Sequence, residues 1–266
     1  MSARRAGGFA RLVTVAVAAA VCLAAPACGQ EPYPSRLITT VAPITAGTAI
    51  DILARLYADK LAKRFGQQVV VANRAGAGGL IGAQAVASSA PDGYTLLFAN
   101  SGHAILGTLN KNLPFDPVAD FAGVSLVGEA PAIVVVPPSL GVSSLQEFVA
   151  LAKSKPGEIN GRLKALAVAA KEPINEPIAI ATALSQGIDY EYATWYGVLA
   201  PGKTAKEVLN TLSQAIAEAG KDPELQAKLR LQGIEPRNIG VEAFDAHIRN
   251  DMARIAPLLK SIAENR

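Results

Sequence analysis

The sequence predicts an α/β protein on a mainly parallel sheet, as its element order, turns and composition indicate. From Leu37 to Ala99, β-branched runs alternate with helical patterns in a βαβαβ order. Glycine and proline turns punctuate the runs. Of 266 residues, 50% are hydrophobic and 18% charged, a globular composition that suits one large domain or two small ones.

The N-terminus reads as a processing segment. Arg4, Arg5 and Arg11 make a positive start, Leu12 to Ala25 is apolar, and Ala25-Pro26-Ala27 is a small-residue cleavage site. Residues 1–27 are therefore expected to be a secretory signal peptide, which implies a periplasmic protein. A membrane anchor is the other reading, but the apolar stretch is shorter than the ~20 residues a span needs. Cleavage after Ala27 would leave Cys28 first, which keeps a lipid anchor there open. Arg4-Arg5 fits a twin-arginine signal poorly.

Export changes the charge balance. The formal charge is +3, from 25 Lys and Arg against 22 Asp and Glu. Without Arg4, Arg5 and Arg11, 22 basic residues face 22 acidic ones, so bulk charge gives no argument for nucleic acid or membrane binding. The cysteines are Cys22, inside the signal, and Cys28. Processing leaves no internal disulfide and no cysteine cluster for zinc.

Leu37 to Ala42 reads as the first strand, Pro43 to Gly47 as a turn, and Thr48 to Phe65 as a helix stopped by Gly66. Val69 to Val71 is the next strand, followed by the Gly-rich loop Asn73 to Gly79 and a helix to about Ser89. After the turn Ala90-Pro91-Asp92-Gly93, Tyr94 to Ala99 is a strand. Val124 to Val127 and Ile133 to Val136 are apolar runs of the kind found where a chain crosses between lobes. Ser144 and Glu147 have capping-box spacing for a helix to about Lys153. Leu163 to Ala169 and Tyr190 to Leu199 are strands, the second carrying Trp195. Three helices close the chain. Thr204 is expected to cap the first, Asp222-Pro223 opens the second, and the third runs from about Glu242 with a kink at Pro257.

Chemistry has three candidate places. The loop Pro43 to Asp51 joins a strand to a helix, so free N–H groups of the first turn can hold a carboxylate or phosphate. Thr45, Ala46, Gly47, Thr48 and Asp51 are its candidate ligand contacts; Thr48 and Asp51 also have capping-box spacing, which would commit Asp51 to helix initiation. The loop Asn73 to Gly82 looks like a dinucleotide fingerprint, but Ile81 stands where the third glycine belongs and no acid ends the next strand. Close helix–strand packing with a tight turn is the simpler reading. In Asn100 to Ala104, Ser101 and His103 could contact a bound anion, whereas a serine nucleophile lacks a G-x-S-x-G elbow. His247 and Asp251 read as a solvated pair on a charged helix face. No metal-binding spacing of histidines and acids is present, and no basic–aromatic stripe suggests nucleic acid.

Together, several of these segments resemble the Bug family, the extracytoplasmic receptors of tripartite tricarboxylate transport systems. The resemblance is carried by Tyr33 to Arg36, Pro43…Gly47…Asp51 to Arg55, Asn73 to Gly79, Ala90 to Leu97, Leu113 to Pro117 and Trp195 to Pro201. It implies a type II periplasmic-binding fold, in which two α/β lobes close on a small ligand. It also implies a binding function without catalysis or cofactor, a small organic di- or tricarboxylate as ligand, and membrane permease subunits as partners. Thr45 to Thr48 and Ser101 to His103 would form the first-lobe half of the site, with backbone N–H groups and bridging waters making many of the contacts.

The chain departs from the family pattern. Thr45, Ala46 and Thr48 replace residues of a loop usually richer in proline and glycine, and Ala181-Thr182 and Ser185 stand where a Pro-Thr and an acid are usual. Order and spacing fit from Tyr33 to Asn160, then resume at Gly161 as a much later part of the fold. The stretch expected between them is about 60 residues, two βαβ-sized pieces, and would carry the second-lobe ligand loop. The expected organisation is thus lobe 1 over 33–130, a truncated lobe 2 over 131–197, and a return to lobe 1 with C-terminal helices over 198–266. The remaining second lobe would show the apolar faces of its helix from Leu145 and its strand from Leu163 to water. The readings left are a carboxylate receptor, an internally deleted remnant that binds weakly or not at all or survives by pairing with another chain, and a nucleotide-dependent enzyme acting through Gly76 to Gly82.

Overall fold

In the computed structural model, residues 32–110, 112–154, 164–169 and 181–264 are described. The signal-peptide and Cys28 expectations, and the junction at Asn160–Gly161, lie outside them. The described residues from Arg36 onward form one compact unit.

The main sheet has six strands in the order β2-β1-β3-β7-β4-β8. They are β1 (Ile38–Ala42), β2 (Val69–Asn73), β3 (Thr95–Asn100), β4 (Phe121–Pro131), β7 (Ala193–Pro201) and β8 (Glu235–Ile239). β1 pairs in parallel with both β2 and β3, because α1 (Ala49–Phe65) and α2 (Leu80–Ala87) supply the crossovers that parallel neighbours need. The other pairings, β3–β7, β4–β7 and β4–β8, are antiparallel. The sheet is therefore mixed, and the expectation of a mainly parallel sheet holds only for its first half. β4 and β7 carry the chain out of the main sheet and back, and such an outgoing and returning pair runs antiparallel.

Helices cover both sheet faces. Alternate strand residues point opposite ways, so one strand reads out both sides. On β3, Phe98 meets Tyr57 of α1, with ring centroids 6.3 Å apart. Leu97 and Ala99 instead join a buried cluster with Ala83 of α2, Ala104 and Leu106 of α3 (Gly102–Leu109), and Phe244 and Ile248 of α7 (Val241–Glu264). α5 (Lys206–Gly220) packs on α1 and β4. An ion pair from Lys60 to Asp222 ties α1 to the start of α6 (Pro223–Leu231).

Trp195 and Phe244 are fully buried and meet edge to face, with centroids 5.3 Å apart at 84°. The indole Nε1–H donates to Asp251 at 3.0 Å, and Arg254 donates to the same carboxylate at 3.0 Å. Asp251 is 6% exposed, which corrects the solvated His247–Asp251 pair. Its partner is a tryptophan 56 positions away, out of reach of local spacing.

The caps divide. Asp222 accepts from the Leu225 N–H at 3.0 Å, as Asp-Pro predicts. Ser144 accepts from the Glu147 N–H at 3.2 Å at the start of α4 (Leu145–Ser154), while Glu147 reaches back to the Ser143 N–H. Thr204 does not cap α5: its hydroxyl donates to the Pro201 carbonyl at 2.7 Å, and Ala205 holds the cap position.

Beyond Pro131 the chain makes a two-stranded antiparallel sheet of β5 (Ile133–Val136) and β6 (Lys164–Val168), together with α4. Its core is small. Leu145 and Ala183 are buried, with Val134, Phe148 and Ile188 packed against them. Leu145 is covered because residues 181–188 fold over α4, and its N–H donates to Gln186 at 2.8 Å, so that end of the helix is not the bare face expected. On β5, Ile133 and Val135 remain 42% and 40% exposed.

Candidate functional site

A cavity of about 360 Å³ lies at the C-terminal ends of the parallel strands β1, β2 and β3. It falls in the size range of small-molecule sites, about 300–1,000 Å³. Its wall is mostly apolar, with Pro43, Ile44, Ile50, Ala83 and Leu106 among the lining residues. Thr45, Asn100 and His103 add polar side chains, and no charged side chain lines it.

Helices α1, α2 and α3 begin at this cavity. Ile50 is the second residue of α1, Gly79 caps α2, and Gly102 opens α3; all three line the wall. Each such terminus carries unpaired N–H groups and the positive end of the helix dipole. A wall with three of these ends and no side-chain charge suits a small anion held by backbone.

Glycine makes the approach possible. Gly79 takes φ 99°, the left-handed region, at the turn into α2. At Gly82 a Cβ would fall 2.7 Å from the Pro43 Cβ and 2.9 Å from the Arg74 carbonyl oxygen. The Gly-rich segment is thus packed tightly against the Pro43 loop, while Gly76, Gly78 and Gly79 face the cavity.

Of the residues expected from sequence, Thr45 and His103 line the cavity; Ala46, Gly47, Thr48, Asp51 and Ser101 do not. Asp51 is 3% exposed and turned toward its own loop. It accepts from the Gly47 N–H at 2.9 Å, not from Thr48 as a capping box would have it, while the Thr48 hydroxyl donates to the Thr45 carbonyl at 3.1 Å. The Arg55 guanidinium bonded to Asp51, helped by Gly47 and Asn73, holds its carboxyl down at about 2 against the opposing effect of burial.

Ser101 Oγ lies 3.3 Å from the Tyr192 hydroxyl, and its N–H donates to the Trp195 carbonyl at 3.1 Å. His103 is 5% exposed, and its Nε2 lies 2.8 Å from the Pro117 carbonyl, which can only accept. The proton therefore sits on Nε2. The ring also meets Phe121 edge to face at 4.6 Å. Burial pushes the imidazole down to about 4, only partly offset by the bond to Pro117, so it is neutral at neutral pH. Ser101 and His103 each bond elsewhere rather than to one another, unlike a nucleophile and its base.

Asn100, Gly76, Gly78 and Gly79 were not chosen from sequence as ligand contacts, yet they line the wall. The signal was available: both segments end a parallel strand and open a helix, the arrangement that singled out the Pro43 loop. Among the described residues, no group of three or more His, Cys, Asp or Glu could hold a metal ion, and no helix is long and apolar enough to cross a membrane.

Comparison with known proteins gives consistent likenesses. The family model described as tripartite tricarboxylate transporter family receptor matches residues 53–160 and 158–263. Protein BugT of Bordetella pertussis is 42% identical over 146 residues, covering 54% of this chain and 44% of that protein. The chain thus spans about half the length of the curated relatives it matches first. A solved periplasmic transporter is 27% identical with a TM-score of 0.74, covering 86% of this chain and 97% of that one. An R. palustris protein solved with adipate has the same fold at 24% identity, with a TM-score of 0.73 over 86% of this chain and 97% of that one.

Proposed function

This chain belongs to the tripartite tricarboxylate transporter receptor family, and on that premise we propose that it is an exported receptor for a small organic carboxylate. It would deliver that acid to membrane permease subunits without chemical change. The observation that carries the reading is the convergence of three helix N-termini on one cavity free of charged side chains. The adipate bound by the R. palustris protein supports a dicarboxylate as the probe class. In this reading Thr45, Asn100 and the backbone of Gly76 and Gly78 face the ligand, while Ala46, Gly47, Thr48 and Ser101 shape the backbone behind them.

A second reading concerns the opposing wall. The family match arrives in two stretches that meet at residues 158–160, and the chain spans 44% of its BugT relative. The meeting of the two stretches supports an internally shortened second lobe. A ligand facing one wall stays wet, and wet charge contacts are weak, so affinity would be lower than a closed cleft gives.

Thermal unfolding in the presence of malate, adipate, citrate, aspartate and nicotinate tests the function. An acid at about 100 times its Kd adds ~2.7 kcal/mol, which raises Tm by roughly 5–11 °C in a protein of this size. One acid with a concentration-dependent shift of that order is the expected result. No shift from any of them at millimolar concentration would contradict the receptor reading.

A further inference from the structure

The carboxylate of Asp51 accepts from three N–H groups, the Gly47 backbone at 2.9 Å, Arg55 Nε at 3.2 Å and Asn73 Nδ2 at 2.8 Å, and its Oδ1 is ion-paired with Arg55 Nη2 at 2.9 Å. A carboxylate has about four lone-pair sites, and these contacts engage both of its oxygens. Asn73 closes the network. Its Nδ2 also donates to the Ile44 carbonyl at 3.2 Å, and its Oδ1 accepts from Arg55 Nη2 at 3.0 Å. Ile44 and Gly47 are the two ends of the loop that carries Thr45 into the cavity wall, and the network grips both.

We propose that Asp51, with Asn73 and Arg55, is a positioning clamp that sets the Ile44–Gly47 loop in its ligand-ready form before any ligand arrives. The loop enters the left-handed region at Gly47, φ 83°, and has no sheet partner of its own. Without the clamp its shape would have to be ordered at the expense of binding. The pairing also settles a charge conflict. A lone buried aspartate one turn from an anion site would repel the ligand, whereas Asp51 paired to Arg55 presents no net charge. The Asp51 carboxyl is held near 2, so the clamp stays ionised across the neutral range.

The effect on binding rests on the receptor reading, but loop order is measurable in the ligand-free protein. Amide hydrogen exchange at Ala46 and Gly47 is compared in the wild type, Asp51→Ala, Asp51→Asn and Asn73→Ala. Asp51→Ala should speed exchange there about tenfold or more, the scale of one lost charge-assisted hydrogen bond, while α5 amides stay at wild-type rates. Asp51→Asn keeps an acceptor for the Gly47 N–H and should recover part of the protection; Asn73→Ala should lose part of it. Affinity for whichever acid shifts the wild type should fall in the same order. Wild-type exchange at Ala46 and Gly47 in Asp51→Ala, or tighter acid binding by that variant, would overturn the clamp. If Asp51→Ala does not fold, Asn73→Ala decides alone: wild-type loop exchange in it overturns the proposal. If no acid binds the wild type, the receptor reading fails, and the exchange comparison still decides the clamp.

Discussion

Replacing Phe244 by alanine should cost about 3–5 kcal/mol of stability, the range for deleting a buried aromatic from a packed core. Phe244 has no exposed surface and sits on α7 against the sheet. Its ring takes the space that side chains at Gly197 and Gly123 would need: a Cβ at Gly197 would lie 2.3 Å from Cζ, and one at Gly123 would lie 3.0 Å from Cδ1. Those glycines belong to β7 and β4, the strands that lead to the rest of the chain. The phenyl ring is thus the peg that seats α7 on the crossing strands, and Trp195 braces it edge on. The residual hole would be lined by side chains that the sheet backbone cannot bring together. Urea unfolding of Phe244→Ala checks this, and a loss below about 1 kcal/mol would show that the site collapses freely.

Lowering the pH from 7 to 4.5 should remove on the order of 2 kcal/mol through His103 alone. Burial holds the folded imidazole at about 4, whereas an unfolded histidine titrates near its ordinary 6.5. Between those values the unfolded chain binds a proton that the folded one refuses, so stability falls as pH drops through the window. Above about 6.5 both forms are neutral and the effect vanishes; below about 4 both are charged and it levels off. Asp51 does not share this window. Its folded carboxyl is held at about 2 against an ordinary 3.8, so its contribution is lost only at lower pH. Denaturant titrations at pH 7 and 4.5 on wild type and His103→Gln separate the two. The variant should lose most of the pH dependence in this window, and an unchanged slope would remove His103 as its source.

The parallel half of the fold was legible because its signals are local. Val69 to Val71 and Leu37 to Ala42 are β-branched runs, and α1 has both a period and a terminal Gly66 in the left-handed region. Asp222-Pro223 announced its helix for the same reason. α3 was missed because Gly102 and Gly107 are poor helix formers and Ser101 makes no side-chain cap; packing against α7 sustains it. β8, Glu-Pro-Arg-Asn-Ile, is a polar edge strand containing proline, which pattern alone reads as a loop.

At the site, the strand-to-helix loops could be picked out, but not the direction of their side chains. Asp51 and His103 are polar residues at the right address that bond to Gly47 and Pro117. Asn100 looked like the end of a strand and in fact accepts from the Gly102 N–H at 3.0 Å at the mouth of α3. Residue type and spacing do not fix side-chain direction: Gly47 and Gly102 are local partners, whereas Pro117 comes from another segment.

The most direct test follows the amide resonances of isotopically labelled protein during titration with the acid that gives the largest thermal shift. The account predicts that the Ile50, Gly78, Gly79 and His103 amides move together along one saturable isotherm, while amides of α5 and α6 stay still. Saturable binding that leaves those four amides unmoved would place the ligand elsewhere and contradict an anion held by the three helix N-termini.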